Sequence, residues 1–251
     1  MYVQKYLDRI TYAGPLEPST ATLRGLHRAH MLSVPFENLD IHLGRPIVLD
    51  ESVFFKKIVE QGRGGFCYEL NGSFAALLRE IGFEVTMLSA GVAAPDGRFA
   101  PDFDHMALRV ALEDEWLADV GFGDSFIEPI SMNESVTTSD PTGEYKVARD
   151  GGHKLMCRKT AAPDAAWKPQ YRFSLAPREL PDYEEMCVYQ QTSPESYFTR
   201  QRICSLATEA GRITLSDLKL ITTTNGVREE RLLDGEAEFN SVLADQFGIV
   251  L

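Results

Sequence analysis

Near Glu84 the apolar residues of this chain stop recurring at three- and four-residue steps and begin to alternate. The first pattern is that of a helix with one buried face, the second that of a strand. A chain that runs through one and then the other folds as α+β, with its helices and its antiparallel sheet segregated. The helical part resolves into several segments. One covers Val3–Ile10, and a second starts at Ser19 or Thr20 as cap, carries Leu23, Leu26 and His30 on one face, and is broken by Pro35. The segment Ile41–Leu49 reads as extended. Asp50 then caps a helix over Ser52–Gln61, ended by Gly62–Gly65, and Leu70, Phe74, Leu77, Leu78 and Ile81 mark a last helix that contains Cys67 near its start.

Beyond Glu84, strands are expected at Val85–Val92, His105–Leu112, Trp116–Val120, Tyr145–Ala148, Lys154–Arg158 and Tyr171–Leu175. The acidic Glu113-Asp114-Glu115 joins the second and third as a hairpin, and Asp150-Gly151-Gly152-His153 joins the fourth and fifth. Residues 86–175 therefore form a small barrel or curled sheet. The Pro- and Asp-rich stretches near 95–104 and 161–169 read as loops. A helix over Asp182–Thr192, strands at Ile203–Thr208, Arg212–Leu218 and Leu220–Thr224, and a helix over Glu236–Phe247 stopped by Gly248 complete the chain. Three units follow: a helical bundle over 1–85, an antiparallel β-barrel over 86–181, and an α/β lid over 182–251.

The 251 residues are 44% hydrophobic, ample for a buried core, and carry 37 acidic against 25 basic side chains for a net charge of −12. Phosphate backbones select basic surfaces, so nucleic acid is not an expected partner. No stretch approaches the roughly eighteen apolar residues of a membrane span, and the N-terminus lacks the apolar core of a secretory signal. Four cysteines (Cys67, Cys157, Cys187 and Cys204) show no C-x-x-C pair and no metal-ligand spacing. A cytoplasmic, disulfide-free protein without a metal is expected, with Cys157, Cys187 and Cys204 in the core. No segment specifies an oligomeric state.

Cys67 differs from the other three. It follows Arg63-Gly64-Gly65-Phe66 and lies in the first helical turn, where unpaired N–H groups and the helix dipole favour an anion and so a thiolate. A nucleophilic thiol needs a base, and the base needs an acceptor that orients it. Among five histidines, His27 and His30 read as helix-surface or packing residues, His42 as structural and His153 as a solvated turn residue. His105 stands at the mouth of the acidic hairpin, and folding at its tip returns Asp119 to the neighbouring strand. Their register is imperfect, so a bulge or strong twist is expected to bring them into contact. Asp119, between Leu117-Ala118 and Val120, should be buried and must then find a partner.

Arg63-Gly64-Gly65-Phe66-Cys67-Tyr68-Glu69, His105 and Asp119-Val120-Gly121-Phe122-Gly123 together resemble the arylamine N-acetyltransferases. Val34-Pro35-Phe36-Glu37-Asn38-Leu39 and Ser193-Pro194-Glu195-Ser196-Tyr197-Phe198 extend the resemblance across nearly the whole chain. It implies a fold similar to the cysteine proteases and a Cys67–His105–Asp119 catalytic triad. It also implies acetyl-CoA as co-substrate without a bound prosthetic group, and an arylamine, arylhydrazine or hydroxylamine as acceptor. Phe36, Phe122 and Phe198 would line the acceptor slot, Gly121 and Gly123 would admit the CoA pantetheine tail, and Glu37 with Arg63 would pin the loop before the cysteine. No compact basic motif marks a place for the CoA phosphates. Two other activities use the same thiolate–imidazole pair: an amide synthase acting on a carrier-bound polyketide acyl chain, and a cysteine hydrolase.

Overall fold

The computed structural model describes residues 2–160 and 165–251. Helices α1 (Tyr2–Arg9) and α2 (Thr20–Ser33) come first, and the Ser19 hydroxyl caps α2 by accepting the Thr22 N–H. Strand β1 (Phe36–Glu37) leads into a single helical turn, α3 (Leu39–His42). The extended segment expected from Ile41 thus begins as helix, because the Glu37 carboxylate accepts the Leu39 N–H at 2.7 Å and starts the turn. Asp50 caps α4 (Glu51–Phe55) as its position predicts. The one helix expected to Gln61 is divided, however. Lys56–Glu60 widens into a π turn that buries Lys57 and Ile58. Helix α5 (Cys67–Ile81) then runs to Gly82, whose φ of +108° makes the left-handed stop that glycine adopts without strain.

Eight antiparallel strands follow: β2 (Glu84–Val92), β3 (His105–Ala111), β4 (Glu115–Ala118), β5 (Ile130–Ser131), β6 (Thr138–Asp140), β7 (Gly143–Asp150), β8 (His153–Lys159) and β9 (Lys168–Arg178). Their spatial order is β5-β4-β3-β2-β9-β8-β7-β6, and β5 reaches β7, so the sheet curls into a nearly closed barrel. The two-residue β5 and three-residue β6 are too short to show an alternating pattern. Of the loop expected over 161–169, residues 161–164 lie outside the described residues, and Lys168 already belongs to β9.

A 3₁₀ turn at Leu180–Tyr183 enters α6 (Glu184–Thr192), followed by α7 (Tyr197–Arg200). A second antiparallel sheet contains β10 (Ile203–Thr208), β11 (Gly211–Ser216), β12 (Lys219–Thr224) and β13 (Val227–Leu232), and α8 (Glu236–Phe247) packs on it. Its order is β1-β10-β11-β12-β13, so a strand from the helical part forms one edge. Strand β13 is not readable in the sequence because all of its residues are exposed; its Arg and Glu side chains instead protect a free sheet edge.

The central strands β2 and β3 are buried on both faces. Met87, Met106, Leu108 and Val110 pack with Leu70, Phe74 and Leu77 of α5, while Leu88, Ala90 and Ala107 face the barrel interior with Tyr145, Met156 and Tyr171. This shared wall sets the start of α5 against the end of the barrel where β3 begins. The loop that enters α5 is also packed tightly against the segment before β1: a Cβ on Gly64 would stand 1.9 Å from the Pro35 carbonyl oxygen. Gly64→Ala should therefore lower stability by about 3 kcal/mol or more in thermal or urea unfolding. Gly152→Ala, where no atom lies within 4 Å and φ is not positive, should leave Tm within about 2 °C. Equal Tm values for the two variants would contradict this packing.

Candidate active site

Helix α5 delivers Cys67 at its first residue. The preceding loop is held by β1, with Glu37 N–H donating to the Gly65 carbonyl at 2.8 Å, and by Glu69, whose carboxylate accepts the Phe66 N–H at 3.1 Å. Cys67 is 3% exposed and lines a cavity of about 1000 Å³ together with His105, Phe36, Phe122 and Phe198.

His105 begins β3, and its Nε2 lies 2.8 Å from Asp119 Oδ2. Of the bulge or strong twist expected to join them, no bulge is present in the β3–β4 pairing. The β3–β4 register runs without a shift from Ala111 opposite Glu115 to Leu108 opposite Ala118. Continued one step, it sets Asp119 opposite Ala107, on the same face as His105 and diagonal to it, a spacing that a carboxylate and an imidazole can span. Asp119 has no solvent exposure, and both of its carboxylate oxygens and its backbone N–H are occupied. Oδ1 accepts from Asn71 Nδ2 at 2.9 Å and from the Gly121 N–H at 3.0 Å, while its backbone N–H donates to His27 Nε2 at 3.1 Å. Burial alone would raise this carboxyl, but the His105 ring and the Asn71 and Gly121 donors hold it below the usual carboxylate range.

Two of these partners were missed in the sequence. Asn71, one turn after Cys67, also donates to the Met106 carbonyl at 2.6 Å and accepts the Val120 N–H at 2.9 Å, locking both strand ends that carry His105 and Asp119. Its one-turn spacing from Cys67 is the signal that could have found it. His27 is not a helix-surface residue: it is fully buried, and its Nδ1 donates to the Ile127 carbonyl at 3.0 Å while Nε2 accepts from Asp119. Burial pushes its pKa down to about 4, so it stays neutral and keeps that tautomer. His30, also fully buried, bonds the Tyr6 hydroxyl through Nδ1 at 3.0 Å. His42 donates to the Phe198 carbonyl at 2.9 Å, and His153, half-buried, opens β8.

The thiol does not follow from the helix dipole alone. Burial pushes Cys67 up from its ordinary value, Asp104 and Asp119 push the same way, and a hydrogen bond at the Met106 backbone opposes them. In so dry a place a lone thiolate is penalised, so the negative charge needs a positive partner beside it. The imidazole of His105 lines the same cavity and is anchored through Nε2.

Beneath the start of α5 lies a buried charge cluster. Arg63 reaches Glu37 at 2.7 Å and Asp40 at 3.1 Å, and Lys57, exposed by the π turn to this interior, reaches Asp40 and Glu69, each at 2.8 Å. The Glu37–Arg63 pair was legible; Asp40, Lys57 and Glu69 were not, because their charges lie on separate elements. Burial tends to raise Asp40, but Lys57 and Arg63 hold it below the usual range, whereas burial leaves Glu69 above its own.

Phe36 and Phe198 stand 6.0 Å apart between ring centres, and Phe122 packs edge-on to His105 at 5.2 Å. Tyr171, fully buried in β9, packs on both at 5.1 Å from the His105 ring and 5.2 Å from that of Phe122. Gly121 lies where a Cβ would be 2.8 Å from Cys67 Cα, so its lack of a side chain serves close packing against the backbone of Cys67. Gly123 holds φ at +89° and faces the Phe36 ring. Among the described residues, no group of three or more His, Cys, Asp or Glu side chains is placed to hold a metal ion, and no helix is long and apolar enough to cross a membrane.

An N-acetyltransferase family model matches residues 19–251. The arylamine N-acetyltransferase of Escherichia coli K12 is 34% identical over 248 residues, covering 97% of this chain and 87% of its own length. Proansamycin X synthase of Amycolatopsis mediterranei is 29% identical over 253 residues, covering 96% and 95%. The arylamine N-acetyltransferase of Mycobacterium marinum, solved in complex with CoA, superposes with a TM-score of 0.91 at 29% identity, covering 98% of this chain and 92% of that one. The eight-stranded curled sheet with its flanking helices is the fold of that structure.

Two measurements check the electrostatics. Asp40 and Asp119 have folded pKa values below their unfolded ones, so their contribution to stability is present above the ordinary carboxylate value of 3.8 and is lost as pH falls through the folded values. Glu69, shifted upward, acts in the opposite sense. Asp119→Asn should lower stability at neutral pH yet flatten the fall of Tm below about pH 4. An unchanged acid slope in that variant would refute the assignment. Lys57→Met should cost about 3–5 kcal/mol by leaving Asp40 and Glu69 without their shared cation.

Proposed function

Because the chain belongs to the arylamine N-acetyltransferase family, we propose that it transfers an acetyl group from acetyl-CoA to an arylamine, arylhydrazine or hydroxylamine through Cys67. The observation that carries this reading is the buried His105–Asp119 pair facing the same cavity as the thiol at the start of α5. In the first half-reaction Cys67 gives its proton to His105 and attacks the thioester carbonyl. The C–S bond to CoA breaks, and the departing CoA sulfur takes the proton back from His105. The acetyl-cysteine formed is a thioester like the one consumed, so this step is near balance and needs no metal. In the second half-reaction the amine attacks the acetyl carbon, His105 removes a proton from its nitrogen, and Cys67 leaves as thiolate. Asp119 fixes the ring and its tautomer. The N–H groups of the first turn of α5, Cys67's own included, supply donors to the developing oxyanion.

Phe36, Phe122 and Phe198 form the aromatic slot for the acceptor ring in this scheme, and the positive φ of Gly123 leaves the backbone open to the pantetheine tail. The division into a helical bundle, a barrel and an α/β lid serves as a working description, with the cavity bounded by all three. Acetyl-CoA as donor is supported by the CoA complex of the M. marinum relative. The need for acetyl-CoA and for a reduced thiol, with all four cysteines free, supports a cytoplasmic site of action. A second reading, amide formation from a carrier-bound polyketide acyl chain, is favoured only by the likeness to proansamycin X synthase.

With acetyl-CoA alone the protein should release one CoA per Cys67 and gain the mass of one acetyl group, then turn over only when p-anisidine is added. Cys67→Ala should do neither. Amine-independent turnover, or CoA release by Cys67→Ala, would overturn the scheme. Alkylation by iodoacetamide should stay fast well below pH 8 in the wild type. In His105→Gln it should fall about tenfold per pH unit below the ordinary thiol value of about 8.5. Matching profiles would remove His105 from the ion pair.

A further inference from the structure

Strand β11 carries an arginine whose surroundings do not satisfy it. Arg212 is only 8% exposed and lines the same cavity as Cys67 and His105. Its Nη1 donates to Ser205 Oγ at 3.1 Å, but Nε and Nη2 have no hydrogen-bond partner among the described residues. Those two N–H groups form one edge of the guanidinium, the edge that meets both oxygens of a carboxylate or phosphate side-on. Asp124 lies nearby, with Oδ1 3.5 Å from Nε, which is an ion-pair distance without a hydrogen bond. Asp124 is also shared: its Oδ2 is 3.2 Å from Arg158 Nη1, and its side chain is 62% exposed, free to turn away. Arg158 otherwise donates to the Thr142 carbonyl at 2.8 Å and leaves its own Nε unpaired. The other acid in reach, Asp140, spends its oxygens on the Ile127 N–H and on the Thr142 N–H and hydroxyl.

A buried guanidinium with two idle donors is costly, since a charge removed from water needs its hydrogen bonds replaced. The chain as a whole is acidic, at −12, yet sets Arg158, Arg212 and Arg228 on this one cavity. We infer that Arg212, assisted by Arg158, forms an oxyanion-binding subsite in the wall of the cavity, which takes a carboxylate or phosphate borne by a substrate while its reacting end lies at Cys67. As a substrate-specificity site this rests on the acyl-transfer reading of Cys67; as an anion site it does not. Two sources supply the chemistry: an acid group on the acceptor ring, or a phosphate of CoA.

The test compares wild type with Arg212→Met and Arg212→Lys, using 4-aminobenzoate and the neutral 4-aminobenzamide as acceptors, and acetyl-CoA and phosphate-free p-nitrophenyl acetate as donors. If the acceptor supplies the anion, the kcat/KM ratio of aminobenzoate to aminobenzamide falls about tenfold or more in Arg212→Met with either donor. If CoA supplies it, KM for acetyl-CoA rises about tenfold with both acceptors while p-nitrophenyl acetate loses nothing by comparison. Arg212→Lys, which keeps the charge without the fork, recovers only part of either effect. Loss shared equally by all four combinations, or no loss, overturns the proposal. An equilibrium readout stands apart from catalysis: benzoate or CoA should raise the Tm of Cys67→Ala and fail to raise that of Cys67→Ala/Arg212→Met. If the wild type forms no acetyl-cysteine but an anion still raises Tm through Arg212, the acyl-transfer reading fails and the anion site stands. Equal Tm shifts in the two backgrounds would remove the site itself.

Discussion

One buried carboxylate joins the helical part of this protein to its barrel. Asp119 receives Asn71 from α5 and the Gly121 N–H from its own turn, holds His105 at the start of β3, and gives its backbone N–H to His27 of α2. A charge with no access to water must have its lone pairs filled, and here each donor comes from a different piece of the chain. The consequence is geometric. The helix that begins at Cys67 and the strand that begins at His105 cannot move independently, because Asn71 and His105 share the same acceptor.

The second constraint is burial itself. The dry surroundings that sharpen hydrogen bonding also raise the Cys67 thiol, against the helix terminus that would lower it. Reactivity in such a place depends on proton transfer to a neighbour rather than on release to solvent. The charge cluster under α5 serves a related end. Glu69 anchors the loop through the Phe66 N–H, and Lys57 and Arg63 compensate the acids around it. Desolvation opposes the attraction within this cluster, while its hydrogen bonds order the residues before Cys67.

Much of the fold was legible in local pattern. The helix ends at Ser19, Asp50 and Gly248, the acidic hairpin, and the α8 span are decided by caps, turns and periodicity, all of which act over a few residues. The departures share a cause. The π turn at Lys56–Glu60 and the helical turn at Leu39–His42 answer to buried partners remote in the sequence, and β13 is held by pairing with β12 rather than by any apolar face of its own. Of the surface or packing role expected for His27 the structure shows the buried one, and its partners were not legible for the same reason: Ile127 and the Asp119 backbone lie about a hundred residues away.

The glycine-rich entry to a helix, the hairpin that carries His105 and Asp119, and the motifs that mark the family all reside in the order of residues, so Cys67 and its two companions were recognisable without coordinates. The diagonal register that removes the need for a bulge, the Asn71 clamp, the Lys57 cluster and the idle edge of Arg212 arise only when distant segments are packed together. Side-chain hydrogen bonding in a dry interior depends on distances of about 3 Å, and a linear sequence specifies such distances only through the fold it adopts.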